Sequence, residues 1–380
     1  MNTKVLFISH DAQPHGAQIL VLHLVRWIAA NTGIRPHVLL KRDGPLRSEF
    51  AAVAPTTVMN PGDVDGLLRL CRSEQIDLIY SNTVVNGEVL EALAPLECPV
   101  ITHVHELGYW ISYRSGAVNN AQVVRHTNHF IAASNAVATC LQDILHVTPE
   151  MMSVVHEFVP TRLESFDAAT ARKRTREHFS IPPESFVVGG SGTTDWRKSP
   201  DLFIQMARDL KARPIGRPVH FLWVGGDNVG PEFGMLQHDV RRLGLEGIIH
   251  FTGHVEKPLE LFAAFDVFAL TSREDPYPLV VLEAAALGLP ILAFEHSGGI
   301  PEFVEEDAGF VVPYIDTRAM AERASLLASD PALRSRLGSQ GREKVRKRHD
   351  VGVSAPRIAN VIEWLKLNHR MRPRRLPKAA

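Results

Sequence analysis

Asp275 and Glu283 are two carboxylates separated by seven residues, in the run DPYPLVVLE, around an apolar helix start. Pro276 and Pro278 open that helix, whose free N–H groups and positive dipole end suit an anion such as phosphate. Asp275 lies in the turn and Glu283 about one helical turn inside, so each can reach hydroxyls on a different side of the phosphate. A nucleotide sugar has that layout. Taken singly, each acid has a plainer reading: an acid before a proline turn commonly caps a helix, and a helical glutamate commonly faces solvent. The residues that follow favour the ligand reading. Gly288-Leu289-Pro290 ends the helix, Ile291 to Phe294 reads as a short buried strand, and Ser297-Gly298-Gly299 leads to another helix start at Ile300-Pro301-Glu302. Loops at the carboxyl ends of strands are where doubly wound sheets bind ligands.

A second constellation is Gly189 to Asp201, GGSGTTDWRKSPD, after a strand and before a helix near Pro200. Adjacent Arg197 and Lys198 can set two fixed cations against a diphosphate, the charge a metal supplies elsewhere. Paired basic residues are usually solvated surface, but this pair follows the first strand of a new strand series. Two weaker candidates lie earlier: His15-Gly16-Ala17, where a small residue lets backbone approach a bound group, and His105 in His103-Val104-His105-Glu106, where one of two alternating histidines is expected to point into the core. Asp63-Val64-Asp65 has the DxD form of a divalent-metal site, yet it follows Pro61-Gly62 and opens a helix, so capping accounts for it. No metal site is expected.

These residues must be carried by alternating strands and helices. Strands are expected at Val5–Ser9, Pro36–Leu40, Leu78–Tyr80, Val100–Thr102, Phe130–Ala133 and Val154–Phe158. A second series follows the charged segment Ala168 to His178: Phe186–Gly190, His220–Val224, Ile248–Phe251, Val267–Leu270, Ile291–Phe294 and Phe310–Val312. Such alternation argues an α/β class with parallel, doubly wound sheets, and 380 residues exceed what one core usually organises.

From Thr271 to Val312 the chain resembles the large family of retaining GT-B glycosyltransferases, "group 1" or family-four type, in which an acidic pair is followed by AxxGxP (here Ala285 to Pro290) and GGxPE (here Gly298 to Glu302). It departs in having Asp275 for the usual glutamate and Pro276 for the usual glycine. Thr193 and Ser199 stand at the family's arginine and second glycine, and the single Gly16 stands for a Gly-Gly. Glu274 beside Asp275 leaves two readings of the first acid. The resemblance implies two Rossmann-like domains facing across a cleft: residues 1–165 on the acceptor side, 166–352 on the donor side, a helix at 353–368 crossing back, and a basic tail at 369–380. It implies catalytic roles for His105, Asp275, Arg197 and Lys198, with Glu283 on the ribose. Leu279, Val280, Gly16, Gly225, Val255, Gly298 and Gly299 complete the donor contacts. The implied reaction is metal-independent transfer of a sugar from a nucleoside-diphosphate sugar to an acceptor hydroxyl, in polysaccharide, lipopolysaccharide or glycolipid synthesis. A sugar-nucleotide epimerase, a phosphorylase and a binding protein without chemistry share the fold and stay open.

Composition fits. Hydrophobic residues make up 45% of the chain, enough for packed cores, and a net charge of -1 gives no general attraction to nucleic acid or anionic membrane. Cys71, Cys98 and Cys140 lack CxxC spacing and read as buried thiols of a reducing, cytoplasmic compartment. The first apolar run breaks at His10-Asp11 and is too short for a signal sequence. Arg370, Arg372, Arg374, Arg375 and Lys378 make the tail basic; it is expected to be disordered, serving solubility or a weak peripheral contact with anionic lipid.

Overall fold

The computed structural model describes residues 3–161 and 166–369; the basic tail from Arg370 onward lies outside them. The chain forms two compact units, one running to Glu157 and resuming at Val351, the other spanning Phe158–Asp350.

In the first unit seven parallel strands follow one another: β1 (Lys4–Ser9), β2 (Arg35–Leu40), β3 (Thr56–Val58), β4 (Leu78–Asn82), β5 (Val100–Val104), β6 (His129–Ala132) and β7 (Met152–Val154). Their order across the sheet is β3-β2-β1-β4-β5-β6-β7. The continuous apolar run Val5 to Ile8 follows from burial on both faces. Two expectations are corrected here. Thr56–Val58 is an additional edge strand, and the last strand is Met152–Val154 rather than Val154–Phe158. The helix Val351–His369 completes the unit, starting earlier than its apolar pattern suggested and holding Pro356 inside its first turns. Ile358, Ile362 and Leu365 are its buried stripe, Glu363 accepts from Thr3 at 3.1 Å, and Lys366 pairs with Asp77 at 3.2 Å.

In the second unit β8 (Phe186–Ser191), β9 (Val219–Val224), β10 (Ile249–Phe251), β11 (Val267–Leu270), β12 (Ile291–Phe294) and β13 (Gly309–Val312) pair in the order β10-β9-β8-β11-β12-β13, all parallel. Gly189 and Gly190 belong to β8, not to the loop after it. A Cβ on Gly189 would overlap the Phe265 ring at 1.9 Å, so packing against the chain leading into β11 requires glycine there.

Strand order reverses between β1 and β4 in the first unit and between β8 and β11 in the second. At such switch points the loops on the two sides part, leaving a crevice outside the carboxyl ends of the strands.

Candidate active site

The loops after β8 and β11, which flank the second unit's switch point, carry Lys198 and Asp275. Lys198 Nζ lies 2.5 Å from Asp275 Oδ2, and Arg197 Nη1 lies 3.7 Å from Oδ1 of the same carboxylate. Ser272 Oγ donates a further bond at 3.0 Å, and Asp275 is 3% exposed. Asp275, not Glu274, is the acid between the two cations; the Glu274 carbonyl accepts from Arg197 at 3.4 Å. Burial depresses the Lys198 pKa against the pull of Asp275. An ammonium has three N–H donors and the carboxylate takes one.

Local geometry explains why the loop folds this way. Asp195 gathers it, accepting from the Lys198 N–H at 3.0 Å and the Thr193 hydroxyl at 2.7 Å. Gly192, at φ +151°, lets the Lys198 stem cross where a Cβ would stand 2.8 Å from Lys198 Cγ. Ser199 adopts φ +57°, the left-handed region that favours glycine. Its Oγ donates to the Trp196 carbonyl at 2.8 Å and accepts from Arg273 at 3.0 Å, which offsets the strain. Thr193 is engaged with Asp195, so the two cations of this loop at Asp275 are Arg197 and Lys198.

The GGxPE loop is tied to the same place. Asp275 N–H donates to the Ser297 carbonyl at 2.6 Å, Asp275 and Gly298 form a parallel bridge, and Gly299 N–H donates to the Pro276 carbonyl at 2.9 Å. The helix Leu279–Ala286 begins at Pro278, with Leu279 buried and Val280 half-buried in its first turn. Glu283 is half-buried, and among the described residues its carboxylate has no hydrogen-bond or ion-pair partner; burial raises its pKa to about 7. Gly225 bonds across to Gly253 at 3.1 Å. Val255 is half-buried in the loop after β10.

In the first unit the same edge brings together residues far apart in sequence. His105, just beyond β5, lies 2.5 Å through Nδ1 from Glu157 Oε1 and 2.8 Å through Nε2 from Asn82 Oδ1 at the end of β4. Asn82 Nδ2 in turn donates to the Ala17 carbonyl, next to Gly16, at 2.9 Å. A Cβ on Gly16 would meet nothing within 4 Å, so protein packing does not demand glycine there. His103 is the core histidine of the pair, its Nδ1 2.6 Å from the buried Tyr80 hydroxyl. Sequence reasoning missed Asn82 and Glu157. The available signal was position: Asn82 ends a strand beside the switch point.

His103, His105 and Glu157 bring three side chains of metal-ligating type within 4.8 Å of one another, and the His105 Nδ1–Glu157 Oε1 hydrogen bond engages two of them. Asp63 caps the helix Val64–Ser73, accepting from Gly66 N–H at 2.8 Å. No helix among the described residues is long and apolar enough to cross a membrane.

Residues 171–344 match the family model described as Glycosyl transferases group 1, and residues 14–163 match that of Glycosyltransferase Family 4. The N-acetyl-alpha-D-glucosaminyl L-malate synthase of Bacillus anthracis is 35% identical over 293 residues, covering 73% of this chain and 72% of that protein. The chain belongs to the glycosyl transferases group 1 family. Its class is therefore glycosyltransferase. The D-inositol 3-phosphate glycosyltransferase of Corynebacterium glutamicum (strain R) is 29% identical over 301 residues, 74% of this chain and 71% of that one. Among solved structures, Anabaena HepE in complex with UDP-glucose superposes with a TM-score of 0.83 at 23% identity, covering 95% of this chain and 100% of that one. This group 1 transferase thus has the fold of GT-B glycosyltransferases.

Proposed function

We propose that this transferase moves a sugar from a nucleoside-diphosphate sugar to an acceptor hydroxyl with retention of anomeric configuration and without a divalent metal. The observation that carries the reading is the convergence of Lys198 and Arg197 on Asp275 at the switch point, with Glu283 one helix turn further along the chain and without a hydrogen-bond or ion-pair partner among the described residues. The UDP-glucose complex of HepE supports a nucleotide-sugar donor. Glu283 accepts from the ribose hydroxyls, and Asp275 accepts from hydroxyls of the donor sugar. Lys198 keeps one N–H on Asp275 and turns the others to the diphosphate, where Arg197 adds a second cation.

In the reaction the bond from the anomeric carbon to the diphosphate oxygen breaks, and its electron pair stays on the diphosphate. Lys198 and Arg197 meet that growing charge, the kind of preorganised stabilisation that is usually the largest catalytic contribution. The acceptor oxygen attacks from the same face, and its proton passes to the departing phosphate oxygen. Polysaccharide, lipopolysaccharide or glycolipid synthesis in the cytoplasm, with a peripheral contact at the inner face of the membrane, is the setting we propose. A thermal-shift panel of nucleotide sugars identifies the donor, since a ligand at 100 times its Kd adds about 2.7 kcal/mol. NMR of the first product then reads the anomer: the donor's configuration supports the proposal, and the opposite configuration overturns it.

A further inference from the structure

The hydrogen bonds around His105 have a polarity that can be assigned atom by atom. Asn82 is fully buried, and its Nδ2 donates to the Ala17 carbonyl, which turns Oδ1 toward His105 Nε2. An amide oxygen only accepts. Nε2 therefore carries hydrogen. On the other side of the ring, Nδ1 and Glu157 Oε1 stand 2.5 Å apart, and Glu157 is 4% exposed. A proton lies in that contact too, so neither ring nitrogen keeps a free lone pair.

We propose that Glu157, with Asn82, is a positioning residue for glycosyl transfer that holds His105 as an imidazolium, making it a hydrogen-bond donor and fixed positive charge rather than a base. The assignment of a role in transfer rests on the function proposed above; the ionisation of the pair rests on its own hydrogen bonds and on the charges that face the ring. The groups facing the ring favour the charged form on balance. Burial works against it, but the Glu157 carboxylate, with Glu106 beside it, outweighs burial and raises the pKa of His105. His103, with ring centroids 4.1 Å apart, and His10 would repel the charge, and burial pushes both below the ordinary histidine range. Tyr80, the other titratable group of the cluster, is pushed up and stays neutral. One imidazolium is thus stabilised among three imidazoles.

This device has a functional consequence. A substrate hydroxyl that reaches His105 keeps its proton there, because the imidazolium has nowhere to put one. The charged form is present below the His105 pKa and lost as pH rises through it, so turnover falls on the basic side.

The test is side-chain nitrogen NMR of the full chain, comparing the parent with Glu157→Gln and Glu157→Asp, with circular dichroism as a control on folding. In the parent both ring nitrogens of His105 are protonated at pH 7. In Glu157→Gln the titration moves down by about 1 to 3 pH units, the reach of a close opposite charge, and Glu157→Asp recovers most of it. With hydrolysis of UDP-glucose as the probe reaction, the basic limb of the rate profile moves down with the titration. A bare ring nitrogen at pH 7 in the parent, an unmoved titration in Glu157→Gln, or a rate that rises with pH through the histidine titration overturns the proposal. If the parent consumes no nucleotide sugar, the transferase mechanism fails, and the NMR titration still decides the ion pair.

Discussion

Replacing Lys198 with alanine separates what the ammonium does for the fold from what it does for the reaction. Asp275 is 3% exposed, and Lys198 is its nearest cation at 2.5 Å. Removing one partner of a buried pair commonly costs 3–5 kcal/mol, because a charge is left without compensation. Here Ser272 Oγ at 3.0 Å and Arg197 at 3.7 Å remain, which puts the loss near the low end, about 3 kcal/mol. For a unit of this size that lowers Tm by about 6 to 12 °C. The assay is thermal unfolding followed by circular dichroism for Lys198→Ala, Asp275→Asn and the double variant. Asp275→Asn in the Lys198→Ala background should recover part of the loss, since it removes the stranded charge. Equal melting of Lys198→Ala and the parent, or a double variant less stable than the sum of the singles, would refute the argument from a buried ion pair.

Glu283→Gln removes a carboxyl whose burial raises its pKa to about 7. A raised acid favours its neutral form in the folded state, so its stabilising contribution is full below the unfolded pKa near 4.5 and is lost as pH rises toward 7. The variant should therefore lose less stability than the parent between pH 4.5 and 7 in thermal melts, while binding nucleotide more weakly by calorimetry. Asp63→Ala should cost about 1 kcal/mol by loss of its helix cap and leave sugar transfer unchanged in a coupled assay; a variant revived only by added manganese would restore the metal reading of that motif.

The order of elements was legible because the strands are apolar and the punctuation is glycine and proline. Thr56–Val58 escaped because a three-residue edge strand with two threonines has no continuous apolar run. Val154–Phe158 misled because Val155 and Phe158 stay buried as the chain leaves the sheet: the Val155 N–H makes a last bond to the Ala132 carbonyl at 3.0 Å, and the ladder ends there. At the site, Arg197, Lys198 and Asp275 were readable as types, but their convergence depends on β8 and β11 being neighbours although β9 and β10 intervene in sequence. Ser199 shows a different limit: the position demands a left-handed residue, and two side-chain bonds let serine meet the demand. Asn82 and Glu157 belong to no motif, and only the adjacency of β4 and β5, with the chain returning past them at Glu157, brings both to His105.

The most direct test of the account is release of nucleoside diphosphate from a panel of nucleotide sugars in excess EDTA, measured for the parent and for Lys198→Ala under conditions where both are folded. The account predicts that the parent consumes at least one donor at an undiminished rate in EDTA. It predicts that Lys198→Ala is slower by about a hundredfold or more, the usual cost of one preorganised contact to the leaving group. Loss of the parent's activity in EDTA with recovery on adding magnesium or manganese, or a Lys198→Ala enzyme as fast as the parent, would contradict it.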